Sequence, residues 1–196
     1  ACDGKPVPSG RVIARDIDGD FFQDARAFLK TGGERGPQMK VVPPGTYRIN
    51  PLLFTVTLHD ATEIPPGKLG VVEAHDGNPL PIGRVIAKGV NCDSYQDARA
   101  FFEGGGERGP QVKVIPPAPY RLTPVLFAVK LEDVIDIPEN KIGVVTVREG
   151  APLPTGEIAG GEVPDHDMFQ DPDKFIANGG FKGLQEQVLL AGRYFL

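Results

Sequence analysis

The chain repeats itself in steps of 73 residues, and that period constrains its fold more than any other feature. Lys5 to Gly77 aligns without a gap on Asn78 to Gly150, with about 40 of 73 positions identical, so the two segments must share one fold. A third copy begins at Ala151 and stops unfinished. Gly-Glu-Arg-Gly-Pro-Gln at Gly33 to Gln38 returns at Gly106 to Gln111, and Gly-Phe-Lys-Gly-Leu-Gln at Gly180 to Gln185 is its third version, displaced by one inserted residue.

The glycines and prolines fall at fixed places in the repeat, so they mark turns between short elements and not low complexity. Arg11 to Ala14 and Arg84 to Ala87 follow Pro and Gly turns and are expected to be strands. A helix follows, from about residue 21, 94 or 168. Asp20, Asp93 and Asp167, each with Gln three residues on (Gln23, Gln96, Gln170), suggest capping boxes, and Gly32-Gly33, Gly105-Gly106 and Gly179-Gly180 close the helices. Asp24 and Asp97 then fall in the first turn, where a negative charge suits the helix dipole.

Beyond the Gly-Pro-Gln loop the period drops to two. Val41-Val42 and Tyr47 to Ile49 suggest a hairpin, followed by a strand with Phe54, Val56 and Leu58 on its buried side, matched by Phe127, Val129 and Leu131. The predicted class is α+β, mainly β: tandem units of about 73 residues, each a small antiparallel sheet with one short helix. The units run from Ala1 to Thr62, Glu63 to Ile135 and Asp136 to Leu196. Only the second is whole, since the first lacks the strand equivalent to Lys68 to Val72 and the third lacks the equivalent of Pro51 to Leu58. The chain therefore has the character of a piece of something longer, with self-association expected through strand edges near Ala1 to Gly4 and Tyr194 to Leu196.

Charge and composition narrow the function. The net charge is -5 with Lys and Arg scattered among acids, which argues against a nucleic-acid footprint. No run approaches the roughly 20 apolar residues of a membrane helix, so this segment is not expected to insert directly into a bilayer. Cys2 and Cys92 do not recur in the repeat and suit either two free thiols or one long-range disulfide.

No residue pattern points to catalysis or a cofactor. Asp16, Asp18 and Asp20 resemble the start of a calcium loop, but Ala27 stands where the bidentate acid belongs, so a turn is the competing reading. His59, His75 and His166 lack ligand spacing and are expected at solvent-facing positions. Glu34-Arg35 and Glu107-Arg108 put an acid and a base in a glycine-rich loop, suited either to a local ion pair or to docking another subunit. Tyr47-Arg48 and Tyr120-Arg121 suit a Tyr packed on the sheet with Arg at its rim.

The string Pro43 to Phe54, Pro-Pro-Gly-Thr-Tyr-Arg-Ile-Asn-Pro-Leu-Leu-Phe, followed by Ile64 to Val72, Ile-Pro-Pro-Gly-Lys-Leu-Gly-Val-Val, resembles the N-terminal region of bacterial flotillin-like members of the stomatin, prohibitin and flotillin (SPFH) superfamily. It is more distantly similar to the repeats of the major vault protein. The resemblance implies a non-catalytic scaffold that assembles into filaments, rings or cages, although the chain has neither the membrane anchor nor the long coiled-coil helix of flotillins. A module binding other protein subunits, or an appendage subunit of the cell surface, is the alternative.

Overall fold

Three six-residue helices, α1 (Ala25–Lys30), α2 (Ala98–Glu103) and α3 (Pro172–Ala177), sit at equivalent places in the three units. The computed structural model describes residues 1–17 and 20–196. Each helix begins about four residues later than the sequence suggested. The N-caps are Asp24, Asp97 and Asp171, whose carboxylates accept the backbone N–H of Ala27, Ala100 and Lys174. Asp20, Asp93 and Asp167 are therefore not caps. With the two residues that follow, each forms a left-handed turn, with φ of 43°, 50° and 68° at Asp20 to Phe22 and nearly the same values at 93–95 and 167–169. An L-residue in this region crowds its Cβ against the backbone, which excludes a right-handed start there.

The glutamines also do something other than cap. Their amide nitrogens bond the aspartates of the turns, and their oxygens accept the backbone N–H of Arg48, Arg121 and Phe195, each 25 residues downstream. Each turn is thus tied to a later segment of its own unit. Asp97→Ala is expected to cost about 0.5–2 kcal/mol, the usual worth of an N-cap, whereas Asp93→Asn, which keeps a residue tolerant of positive φ, should cost less. Urea unfolding of the two variants separates the assignments.

The strands are β1 (Thr62–Glu63), β2 (Lys68–Ala74), β3 (Gly109–Pro110), β4 (Pro119–Tyr120), β5 (Phe127–Asp133), β6 (Ile135–Ile137), β7 (Thr146–Val147), β8 (Gly183–Leu184) and β9 (Gly192–Tyr194). They form small antiparallel sheets, and the class is α+β, mainly β. The largest has the order β3-β2-β5, with Lys68 opposite Asp133 and Ala74 opposite Phe127. The hairpin expected within each unit does not form: Tyr120 pairs with Thr62, while Ile115 exchanges backbone bonds with Gly70. Arg11 to Ala14 and Arg84 to Ala87 are not strands either, apart from single bridges at Ala14 and Ala87.

The core of the second unit collects Val72, Tyr95, Phe101, Ile115, Leu126 and Phe127, and it extends across the unit boundary to Ile13 and Met39. The Phe101 and Phe127 rings meet edge to face at 5.1 Å between centroids. Phe28 with Leu53 and Phe54, and Phe175 with Phe169, Leu189 and Tyr194, nucleate the smaller cores of the flanking units. Val56 and Leu58 are not buried, being 53% and 91% exposed, because among the described residues no strand equivalent to β2 lies beside them.

The terminal segments are also paired within the chain, contrary to the sequence expectation. Ala1 exchanges bonds with Gly36, Cys2 donates to the Leu53 carbonyl, and β9 pairs with β6. Among the described residues Thr55 to Asp60 pairs with no strand, and Lys141 to Val145 is bonded along one side only, at Gly143 to Leu189 and at Val145 to Gln185.

Candidate interaction surface at the unit junctions

The Gly-Glu-Arg-Gly-Pro-Gln loop holds itself closed. Gln38 donates its side-chain amide to the carbonyls of Glu34 and Gly36, Gln111 to Glu107 and Gly109, and Gln185 to Phe181 and Gly183. Gly36, Gly109 and Gly183 take positive φ, and a Cβ on Gly106 would lie 2.5 Å from the Phe101 ring, so these glycines are fixed by geometry. Within this frame Glu34 and Glu107 turn inward, 8% exposed, and accept the backbone N–H of Arg15 and Lys88. Glu34 faces the Arg15 guanidinium at 3.6 Å and not Arg35. Arg35 and Arg108 are exposed. Among the described residues Glu34 does not pair with Arg35, nor Glu107 with Arg108.

The surfaces between units carry a motif that sequence reasoning missed. Asp76, in the second unit and 2% exposed, places one carboxylate oxygen against Arg11 Nε (3.0 Å) and the N–H groups of Val12 (2.9 Å) and Ile13 (3.2 Å) in the first. Its other oxygen accepts from Gly77 N–H. One period later the acid is Glu: Glu149 of the third unit binds Arg84 Nε (2.7 Å), Val85 N–H (3.1 Å) and Ile86 N–H (2.9 Å) of the second. These bonds explain why Arg11 to Ala14 is not a strand. The N–H groups of Val12 and Ile13 go to a carboxylate.

Burial pushes the Asp76 carboxyl up, but the bonds from Val12, Arg11, Gly77 and Ile13 outweigh it and leave the pKa below the ordinary Asp value. Arg11 also stacks on Phe102 of the second unit, with its Cζ 4.2 Å from the ring centroid. A carboxylate held by a guanidinium and two N–H groups is a charge-assisted latch. The sequence signal was the acid recurring at 76 and 149 beside an Arg-Val-Ile recurring at 11 and 84.

The helices reach back across the same junctions. Arg99 on α2 pairs with Asp16 at 2.6 Å, and its counterpart Asp173 on α3 accepts the N–H of Gly89, the counterpart of Asp16. A side chain at Gly89 would collide with the Asp173 carboxylate. Charge at one position has therefore changed together with charge at the other, from Asp opposite Arg to Gly opposite Asp. Asp16 belongs to this ion pair, and Asp20 is bonded by Gln23. Asp18, the third of the calcium-like acids, lies outside the described residues. Among the described residues no group of three or more His, Cys, Asp or Glu converges as a metal site would.

His59 and His75 are exposed as expected, but His166 is buried at 2% exposure. Its Nδ1 accepts the Phe169 N–H at 2.7 Å, Nε2 lies 3.0 Å from Gln187 Oε1, and the ring packs on Phe169 and Phe175. Cys92 is the counterpart of His166, allowing for the inserted residue; its thiol donates to the Val90 carbonyl, and burial raises its pKa. Cys2 and Cys92 are both free. Tyr120 and Tyr194 are buried, each bonding the carbonyl four residues back, while Arg121 and Arg193 are exposed at the rim.

No family model, curated protein or solved structure matches the chain. Among the described residues no helix is long and apolar enough to cross a membrane.

Proposed function

We propose that this chain is a non-catalytic scaffold module, an array of like units in a self-assembling protein of the flotillin-like kind. The observation that carries the reading is the junction built twice on one plan: a carboxylate from each later unit gripping an Arg-Val-Ile segment of the earlier one. Units that each contact only their neighbours give an extended surface, which is how repeat proteins present binding faces and build assemblies. Asp3 stands one period before Asp76 and holds the same bond to the following N–H, Asp3 Oδ1 to Gly4 at 2.7 Å, yet its carboxylate is exposed. The first unit thus presents the acid half of another such junction.

The buried polar groups support the same reading. Glu34, Asp76, Glu107, Gln111 and Gln185 hold loops and junctions together through bonds to backbone groups, to which Asp76 and Glu34 add the guanidinium groups of Arg11 and Arg15. Sedimentation velocity at rising concentration, with electron microscopy of the heaviest fractions, tests the proposal. Concentration-dependent assembly into ordered particles is expected. A chain that stays monomeric throughout would overturn the scaffold reading and favour a module that binds other subunits.

A further inference from the structure

The carboxylate latch joins the units but does not tell them apart. Asp76 on Arg11-Val12-Ile13 and Glu149 on Arg84-Val85-Ile86 use the same chemistry, so either later unit carries what either earlier face accepts. Among units this alike, another contact must set their order. The helices supply it, because what they bring across the two junctions is of opposite charge.

At the first junction a helix brings a cation to an acid. Arg99 on α2 places Nε 2.9 Å and Nη2 2.6 Å from Asp16 Oδ2. The Asp16 side chain is only 13% exposed, and its Oδ1 is buried with no hydrogen-bond partner among the described residues. Lys40 lines the same cleft but is held aside, its Nζ over the Phe21 ring at 4.5 Å from the centroid. At the second junction a helix brings an acid to donors. Asp173 on α3 accepts Gly89 N–H at 3.2 Å, and Lys113, the counterpart of Lys40, closes on the same place, its Cε 2.9 Å from where a Cβ on Gly89 would stand. The counterpart of Phe21 is Ser94, which offers the lysine no ring.

We propose that residues 16 and 99 at the first junction, and 89 and 173 at the second, form a charge code that fixes which like unit docks on which face. The face of the first unit takes a unit whose helix carries a cation at this place, and the face of the second takes one whose helix carries a carboxylate. The proposal deepens the scaffold reading by naming what chooses the neighbour.

The code works by rejection more than by attraction. Arg99 is 49% exposed, so its pull on Asp16 is screened and modest. A carboxylate at residue 99 would instead face the largely buried Asp16, whose Oδ1 already lacks a donor. A guanidinium at residue 173 would set donor against donor at Gly89 N–H and cation against cation at Lys113. Like charges brought together in this way exclude the wrong neighbour, which is half of what specificity requires.

The test exchanges the helix charges in the whole chain and follows urea unfolding. Arg99→Asp together with Asp173→Arg keeps the net charge and puts each side chain at the wrong junction, and the folding equilibrium constant should fall by about tenfold or more. Adding Asp16→Gly and Gly89→Asp again keeps the net charge, rebuilds both pairs at exchanged junctions, and should raise the constant by about fivefold or more. If the exchanged chain does not fold, the return of a cooperative transition in the chain with all four substitutions is the expected result. Losses that simply add, or no recovery, would overturn the code. Phe21→Ser checks the lysines separately. In the wild type it frees Lys40 toward Arg99 and should lower the urea midpoint, whereas beside Asp16→Gly and Arg99→Asp it frees Lys40 toward a carboxylate and should raise it. The same sign in both backgrounds would also overturn the code. All of these readings are of the stability of one chain, so the scaffold reading still stands or falls on its own sedimentation test.

Discussion

Asp76→Ala is expected to destabilise the chain by about 3–5 kcal/mol, the cost of breaking a buried ion pair from one side. The substitution leaves the N–H groups of Val12 and Ile13 without their acceptor and strands the Arg11 guanidinium over Phe102. Arg11 is less severe to remove, because its side chain is one-third exposed and water can replace part of what it loses. Asp76→Asn, which keeps an acceptor oxygen but not the charge, should fall between wild type and alanine. Denaturant unfolding followed by circular dichroism measures all three.

The same latch gives a pH dependence with a definite sign. The folded pKa of Asp76 lies below its unfolded value, so the stability it contributes is present above roughly pH 3.9 and is lost as pH falls through the folded pKa. Asp76→Asn should therefore lose little further stability through that group below about pH 4, whereas the wild type should lose more. Equal acid sensitivity in the two proteins would remove Asp76 from the account.

Phe101→Ala is expected to cost about 3–5 kcal/mol, since the ring is fully buried and its removal leaves a cavity in the core that joins the first two units. Leu58→Ala, at an exposed position, should change stability by less than about 0.5 kcal/mol. The ring also explains a glycine. Gly106→Ala alone should cost about 1–3 kcal/mol, because its Cβ would press on Phe101, and much of that cost should vanish in the Phe101→Ala background. Additive losses would show that the contact does not limit residue 106.

Elements written in nearby residues were legible. The presence of one helix per unit and the glycines that end it depend on residues within a turn or two of one another, and repetition multiplied the signal. The shift of the caps from Asp20 to Asp24 shows where local reading fails. Both acids precede an apolar helical pattern, and only the three positive φ values between them reveal that the chain first turns left-handed. The tie from Gln23 to Arg48 N–H, 25 residues away, leaves no local trace.

The sequence by itself determined the 73-residue period and the mainly β class. Tertiary structure alone decided which edges stay open and which polar residues join the units. Asp76 meets Val12 across 64 residues, and the Arg-Val-Ile pattern looked like a strand because its side chains do not record where its N–H donors go. Apolar periodicity reports which side chains avoid water. A backbone donor has no such signature, and its partner is fixed only when distant segments of the chain are brought together.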